Sequence, residues 1–212
     1  MKNKKGAFIA LEGIDGSGKS TITDLIYNEL CKNNINTYKT CEPTNSPTGI
    51  LLRKFLSSKQ HADERVIASL FTTDRLYHIL NEDGGIKNKI NNGITVISDR
   101  YYFSSYAYQS INLPLSYLIE TNAVCSNILK PDLNIFLDLN PETALKRIIK
   151  TRKNLDIYEK KETLMKIRKN YLKAFTRLSG KENILIIDAN RSLDIVFNDT
   201  YDQISKLLLK RK

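Results

Sequence analysis

The feature that most constrains this chain is a glycine-rich string near its amino terminus, Gly13-Ile14-Asp15-Gly16-Ser17-Gly18-Lys19-Ser20, which satisfies the pattern Gly-x-x-x-x-Gly-Lys-Ser. It follows the apolar run Phe8–Leu11, which is typical of a buried strand, and precedes an amphipathic helix predicted over Ser20–Cys31. In that context, glycine backbone N–H groups and the helix N-terminus bind phosphate oxygens. The string therefore predicts a nucleoside triphosphate site, with Lys19 on the β- and γ-phosphates and the Ser20 hydroxyl on Mg²⁺.

Short β-branched runs alternate with helical stretches along the rest of the chain. The predicted strands are Asn36–Thr40, Ile94–Ser98, Leu133–Leu139 and Ile184–Asp188, and the predicted helices are Leu51–Phe55, Ala62–Leu80, Leu115–Leu129 and Leu193–Leu209. This alternation predicts an α/β fold of the P-loop type, a five-stranded parallel sheet between two layers of helices. We expect a single domain over residues 1–212, with ligands at the carboxyl ends of the strands.

Composition narrows the class of protein. The net charge of +10 indicates an anionic partner, although a general enrichment in lysine explains it equally well. Three cysteines without a Cys-x-x-Cys pair fit neither a disulfide framework nor a zinc site, and two histidines argue against histidine-centred catalysis. No apolar run approaches the roughly 18–20 residues of a membrane span, and the amino terminus does not resemble a signal peptide. We expect a cytoplasmic protein without a membrane partner.

A second cluster of polar residues follows the predicted strand Ile94–Ser98. Asp99 stands where acidic residues contact Mg²⁺ or its waters, and Arg100 can bind a phosphate group through two nitrogens. A buried structural Asp–Arg pair is the alternative interpretation. The closest match to the guanine-reading string Asn-Lys-x-Asp is Asn88-Lys89-Ile90-Asn91, whose missing Asp argues against a GTPase.

Taken in order, these motifs resemble the thymidylate kinase family over nearly the whole chain. The matching blocks are Gly13–Thr21; Glu42-Pro43-Thr44 with Gly49 and Arg53; Phe71-Thr72-Thr73-Asp74-Arg75; Asp99-Arg100-Tyr101 with Ser104-Ser105-Tyr106-Ala107-Tyr108-Gln109; Pro131-Asp132-Leu133; and Asp188-Ala189-Asn190. Each block alone is weak, but six blocks in register are specific. The resemblance implies ATP-dependent phosphorylation of dTMP to dTDP with Mg²⁺ as cofactor, in a homodimer.

The resemblance also assigns an acceptor site. It implies that Phe71 stacks on the thymine ring while Arg75, one helical turn later, bonds its exocyclic oxygen; core packing is the alternative for Phe71. It implies that Tyr108 crowds the sugar 2′ position, with a buried structural tyrosine as the alternative. The full implied dTMP set is Asp15, Pro43, Arg53, Phe71, Arg75, Arg100, Ser104, Ser105, Tyr108, Gln109 and Glu159.

A lid closes over ATP in this family, and the resemblance implies one at about residues 147–157. No arginine lies in Asp15-Gly16-Ser17, so the lid is expected to supply the catalytic arginine, with Arg152 as first choice and Arg147 as second. Lys150 departs from the arginine that related lids often carry, and Asp156 and Glu159 resemble the acidic motif that follows the lid. A solvated, charged helix end is the alternative interpretation of these basic residues.

The complete expectation is an ATP site, a metal site and a catalytic group. The ATP residues are Gly13, Asp15, Gly16, Ser17, Gly18, Lys19, Ser20, Thr21, Arg147 and Arg152; the metal residues are Ser20 and Asp99; the catalytic residues are Lys19, Asp15, Asp99, Arg100 and Arg152.

Two other functions stay open: another deoxynucleotide or deoxynucleoside kinase, and a basic NTPase that binds nucleic acid. A nucleoside kinase needs a carboxylate base, and the Glu-Arg-Ser-like string that commonly holds it is missing. No nucleic-acid-binding motif accompanies the basic charge, so specific nucleic-acid binding is not expected.

Overall fold

A parallel β-sheet forms the centre of the molecule. In the computed structural model, which describes residues 5–57, 62–151 and 160–211, five strands lie in the order β2–β3–β1–β4–β5, and every neighbouring pair is parallel. They are β1 (Phe8–Glu12), β2 (Thr37–Cys41), β3 (Thr95–Asp99), β4 (Leu133–Asp138) and β5 (Ile184–Asp188). The α/β fold predicted from the alternation is confirmed.

Helices cover both faces of the sheet, as parallel connections require. Within the described ranges they are α1 (Lys19–Lys32), α2 (Pro47–Leu56), α3 (Glu64–Leu80), α4 (Ile86–Asn91), α5 (Tyr102–Tyr108), α6 (Leu115–Ile128), α7 (Pro141–Thr151), α8 (Lys161–Arg177) and α9 (Leu193–Leu209), with a 3₁₀ turn at Gln109–Ile111. None of the described helices is long and apolar enough to cross a bilayer.

Capping residues account for two helix starts that the apolar pattern misplaced. The predicted helix at Leu51 begins earlier, at Pro47, because Ser46 accepts the Gly49 N–H at 3.1 Å. The helix predicted from Ala62 begins at Glu64, because Asp63 accepts the Arg65 N–H at 2.8 Å. In both cases the start of the helix is determined by a polar capping side chain and not by the apolar periodicity.

Helix α5 was not predicted, because it has no amphipathic pattern to detect. All seven of its residues are buried, so no polar face alternates with an apolar one. It packs mainly against α8, where Phe103 lies edge-on to Phe175 at 5.0 Å between ring centroids. This aromatic packing fixes α5 beside the carboxyl end of the sheet.

The two central strands determine where the site lies. Each residue of β1 is buried, and Leu11 pairs with Asp99 of β3. Glu12 and Asp99, the last residues of these strands, therefore reach the same edge of the sheet. The phosphate loop leaves β1 at that edge, and the turn to α5 leaves β3 there.

Candidate active site

The phosphate loop joins β1 to α1 and is shaped by two glycines. Gly16 and Gly18 adopt positive φ angles of 77° and 92°, a region that side-chain-bearing residues rarely occupy. At Gly16 a Cβ atom would also lie 2.6 Å from the Ala144 carbonyl oxygen of α7. The loop thus requires glycine both for its turn and for its close approach to the neighbouring helix.

Lys19 folds back over the loop that precedes it. Its Nζ donates to the carbonyl oxygens of Gly13 at 3.0 Å and Ile14 at 2.9 Å. Burial lowers the pKa of Lys19 to about 8, and the nearby Arg100 guanidinium adds to that effect. Lys19 is still mostly charged near neutral pH, and a phosphate anion beside Nζ would favour the ammonium further, so the group is suited to a triphosphate.

Ser20 and Asp99 present oxygen atoms to one point beside the loop. The Ser20 hydroxyl donates to Asp99 Oδ2 at 2.5 Å, while Asp99 Oδ1 is buried and has no hydrogen-bond partner among the described residues. Hydroxyl and carboxylate oxygens are the ligands that Mg²⁺ takes when substrate phosphates and water supply the rest. The described ranges hold no group of three or more His, Cys, Asp or Glu side chains that could bind a metal ion.

Arg100 extends from the β3–α5 turn to the phosphate loop. Its guanidinium forms an ion pair with Asp15, and its NH1 group donates to Ser104 Oγ at 3.3 Å. The guanidinium also lies over the Tyr108 ring at 4.8 Å, and the Tyr108 hydroxyl donates to Asp15 at 3.0 Å. The predicted residues Asp15, Arg100, Ser104 and Tyr108 are therefore brought together.

A buried carboxylate that the sequence analysis overlooked lies beneath this group. Glu12 accepts the Tyr101 N–H at 2.8 Å, the Ser104 hydroxyl at 2.6 Å and the Tyr171 hydroxyl at 3.0 Å. Burial raises the pKa of Glu12 to about 7, against the opposing effect of those hydrogen bonds and of the Arg100 charge. An acidic residue ending an otherwise apolar strand, directly before the glycine string, is the sequence signal that could have found it.

Arg75 lies in the second half of the site and is enclosed by protein. Its Nε and NH2 groups contact one oxygen of Glu42 at 2.8 and 2.7 Å, and NH1 bonds Asn122. Both terminal nitrogens also lie 3.3 Å from Ser105 Oγ. Glu42 belongs to the block Glu42-Pro43-Thr44, but the sequence predicted no role for it. In the structure its carboxylate neutralises Arg75, and Arg75 in turn bonds the predicted acceptor residue Ser105.

The remaining predicted acceptor residues lie on the segments around Arg75. Arg53 of α2 donates to the Thr44 carbonyl at 2.5 Å and also to the Pro43 carbonyl. Phe71 is half-buried on α3, one turn before Arg75, whereas Gln109 is buried after α5 with an unpartnered Oε1. Glu159 lies outside the described residues, as do Asp156 and Arg152.

A cleft of about 650 Å³ opens on the donor side of the phosphate loop. It is lined by residues 15–22, Asp99, Arg100, Arg147, Ile148, Lys150, Ala189, Arg191, Leu193 and Val196. Arg147 and Lys150 come from α7, and Arg147 reaches the Ala189 carbonyl at 3.4 Å. The cationic side chains in this lining suit a polyanion. Arg191, which the sequence analysis missed, enters because the β5–α9 loop folds toward the cleft.

Comparisons with known proteins agree with this arrangement. Residues 11–200 match the family described as thymidylate kinase. The chain is 36% identical over 200 residues to a probable thymidylate kinase of Staphylothermus marinus, covering 94% of each chain. It is 39% identical to a probable thymidylate kinase of Pyrobaculum calidifontis (91% and 92% covered) and 36% identical to a thymidylate kinase of Leptospira borgpetersenii (88% and 87%).

Proposed function

The chain belongs to the thymidylate kinase family, and we infer that it transfers the γ-phosphoryl group of ATP to dTMP, giving ADP and dTDP. One observation carries this conclusion from the geometry. Asp15 of the phosphate loop forms an ion pair with Arg100 of the acceptor half. The proposed donor and acceptor sites would therefore adjoin at this ion pair, as direct transfer between two bound nucleotides requires.

The proposed reaction needs positioning and charge neutralisation rather than a general base. The acceptor is a phosphate oxygen that is already ionised near neutral pH. It forms a bond to the γ-phosphorus as the bond from that phosphorus to the bridging oxygen of ADP breaks. Lys19 would neutralise charge on the donor phosphates, and Arg100 would bind the acceptor phosphate beside Asp15. Exclusion of water from the closed cleft protects ATP from hydrolysis.

We propose Mg²⁺ as the cofactor, held at Ser20 and Asp99. The unpartnered Asp99 Oδ1 and the Ser20 hydroxyl supply oxygen ligands beside the phosphate loop. When bound, the ion supplies positive charge that offsets the negative charge on the transferring phosphate. The remaining ATP residues in this proposal are Gly13, Gly16, Ser17, Gly18 and Thr21 around the phosphates, with Arg147 across the cleft.

The acceptor pocket is proposed around α3 and α5. Phe71 would stack on the thymine ring, and Arg75 with Ser105 would face its polar edge. The burial of Arg75 and its bond to Ser105 support this arrangement, since they fix both polar groups. The other proposed members are Pro43, Arg53, Ser104, Tyr108, Gln109 and Glu159. Because a methyl group contributes only about 1–3 kcal/mol to discrimination, dTMP should be preferred over dUMP only partially.

The lid is the remaining part of the proposal. Residues 147–157 would close over ATP in a single domain of residues 1–212, and Arg152 would neutralise charge during transfer. Arg152→Ala should lower turnover while changing dTMP affinity little. An equal loss in Lys166→Ala, an exposed cation on α8, would instead attribute the effect to bulk charge.

We also propose a homodimer in the cytoplasm. Exposed apolar side chains on α3 and α6, among them Val66, Tyr77 and Val124, support the proposal that a second copy of the chain packs against these helices. Tyr117 and Ile128 of α6 instead pack partly against the core. Sedimentation equilibrium of the purified chain measures its oligomeric state.

The three free cysteines suit the reducing environment of the proposed cytoplasmic location.

A substrate panel tests the reaction directly. ADP release, coupled to NADH oxidation, is measured with ATP and each of dTMP, dUMP, thymidine, CMP and AMP. The proposal expects the highest kcat/KM for dTMP, a lower value for dUMP and no turnover of thymidine. A higher kcat/KM for CMP, AMP or thymidine would refute it. Lys19→Ala, run in parallel, shows whether the signal comes from this phosphate loop.

A further inference from the structure

The backbone at Arg100 is held in an unfavourable conformation. Its φ angle is +76°, in the left-handed region that residues other than glycine, asparagine and aspartate seldom occupy. Such a conformation is energetically unfavourable and persists only where surrounding contacts hold it. The contacts that hold it determine where the Arg100 side chain points.

One of those contacts is to the backbone of β1, one is from a side chain of β3, and one is to a side chain of β1. The Arg100 N–H donates to the Leu11 carbonyl at 2.8 Å, and the Ser98 hydroxyl donates to the Arg100 carbonyl at 2.7 Å. The next N–H, that of Tyr101, donates to Glu12 Oε1 at 2.8 Å. Glu12 is therefore the group that satisfies this buried N–H.

The second oxygen of Glu12 fixes the other end of Arg100. Oε2 accepts the Ser104 hydroxyl at 2.6 Å and the Tyr171 hydroxyl at 3.0 Å. Ser104 Oγ, oriented in this way, accepts from Arg100 NH1 at 3.3 Å. A single carboxylate, fully buried, therefore supports both the main chain and the guanidinium of Arg100.

We propose that Glu12 is a positioning residue for phosphoryl transfer, which holds the Arg100 turn and Ser104 so that the guanidinium remains beside Asp15. This inference rests on the proposed function, because it assigns Glu12 a part in presenting Arg100 to the acceptor phosphate. Glu12 acts through the length of its side chain and the geometry of its hydrogen bonds. Its own oxygens are occupied by protein groups and do not touch substrate.

The experiment compares the variants Glu12→Asp and Glu12→Gln with the wild type by kcat and KM for dTMP, and measures ADP affinity by calorimetry. Glu12→Asp keeps the carboxyl group but is one carbon too short to reach both Tyr101 and Ser104. It should lower kcat/KM for dTMP by about 10- to 100-fold, the effect of losing a hydrogen bond to a charged group, and leave ADP affinity within about 2-fold. Glu12→Gln keeps the length and an acceptor for the Tyr101 N–H, and should retain kcat/KM within about 5-fold.

A matched control lies at the other end of the same strand. Asp132 accepts the N–H of Phe8, the first residue of β1, at 2.7 Å, far from the cleft. Asp132→Asn should lower the melting temperature and leave kcat/KM for dTMP within about 2-fold. A loss equal to that of Glu12→Asp would show that strand stability, rather than positioning, explains the effect.

A double-mutant cycle separates a positioning role from an independent one. In an Arg100→Ala background, Glu12→Asp should change kcat/KM for dTMP by less than about 3-fold, because its effect passes through Arg100. The same loss in both backgrounds overturns the inference. So does wild-type kcat/KM in Glu12→Asp alone, or a Glu12→Gln variant as impaired as Glu12→Asp, which would make charge the cause.

Two further readings keep the test decisive. If Glu12→Asp does not fold, amide exchange of the wild-type protein is measured by NMR. The Tyr101 N–H should exchange slowly, and rapid exchange overturns the inference. If the wild-type protein itself shows no dTMP-dependent ADP release, the proposed function fails. If the wild type is active and Glu12→Asp is equally active, this inference fails while the proposed function stands.

Discussion

Replacing Glu42 by glutamine is expected to destabilise the protein more than any surface change, because it leaves a buried arginine without its counter-ion. The Glu42 and Arg75 side chains are only 2% and 1% exposed, and one Glu42 oxygen contacts two nitrogens of Arg75 at 2.8 and 2.7 Å. Burial opposes the charge on Arg75, but the neighbouring carboxylate holds the pKa of Arg75 above its usual value. Removing that carboxylate does not neutralise the arginine, because a guanidinium does not lose its proton in proteins, so Arg75 stays charged in the variant.

The magnitude follows from that geometry. Removing one partner of a buried ion pair typically costs about 3–5 kcal/mol. Glutamine retains one acceptor oxygen, and Asn122 and Ser105 still bond Arg75, so we expect the lower end, about 3 kcal/mol. For a chain of this size that loss lowers Tm by roughly 6–12 °C. Urea unfolding followed by circular dichroism gives the free energy of unfolding. KM for dTMP should rise because Arg75 is no longer held in place by a carboxylate.

Two further variants can refute this reasoning. Asp24→Asn breaks the Asp24–Lys39 pair, in which both side chains are about half exposed, and should change stability little. If Glu42→Gln is no less stable than Asp24→Asn, the buried charge does not require Glu42. The double variant Glu42→Gln/Arg75→Met should be more stable than the sum of the single changes predicts, and additive losses would contradict the coupling.

The other predictions concern the phosphate loop and its surroundings. Lys19→Ala should lower kcat by at least about 100-fold, and wild-type turnover in the ADP-release assay would remove Lys19 from the mechanism. Ser20→Ala should raise the Mg²⁺ concentration for half-maximal activity by about 10-fold or more, read by titrating MgCl₂ at fixed ATP, and an unchanged midpoint would exclude Ser20 as a metal residue. Burial raises the pKa of Glu12 from 4.5 to about 7, so the folded state favours the protonated side chain. The stability that protonated Glu12 contributes is complete below pH 4.5 and is lost as pH rises through about 7. The stability of the wild type relative to Glu12→Gln should therefore fall by roughly 3 kcal/mol over that range in urea unfolding, and a constant difference would refute the shift.

What the sequence by itself determined is local in the chain. The phosphate loop was predictable because eight consecutive residues carry its chemistry, with glycines where the backbone turns and a lysine and a serine at the proposed phosphate and metal positions. Strands β1, β3, β4 and β5 were predictable because each is a short, mainly apolar run, whereas β2 at the edge of the sheet is mostly polar. The starts of α2 and α3 and the fully buried α5 were missed, because caps and complete burial leave no period in the sequence.

What only the tertiary structure decided is how distant side chains satisfy one another. Glu12 and Tyr101 are 89 positions apart, and Arg75 and Asn122 are 47 apart, so no spacing rule connects them. A buried charge must be paired and hydrogen-bonded, but the sequence does not say by which residue. That choice depends on which strand and helix ends meet at one edge of the sheet, and there the fold places Glu12 beneath Arg100 and Glu42 against Arg75.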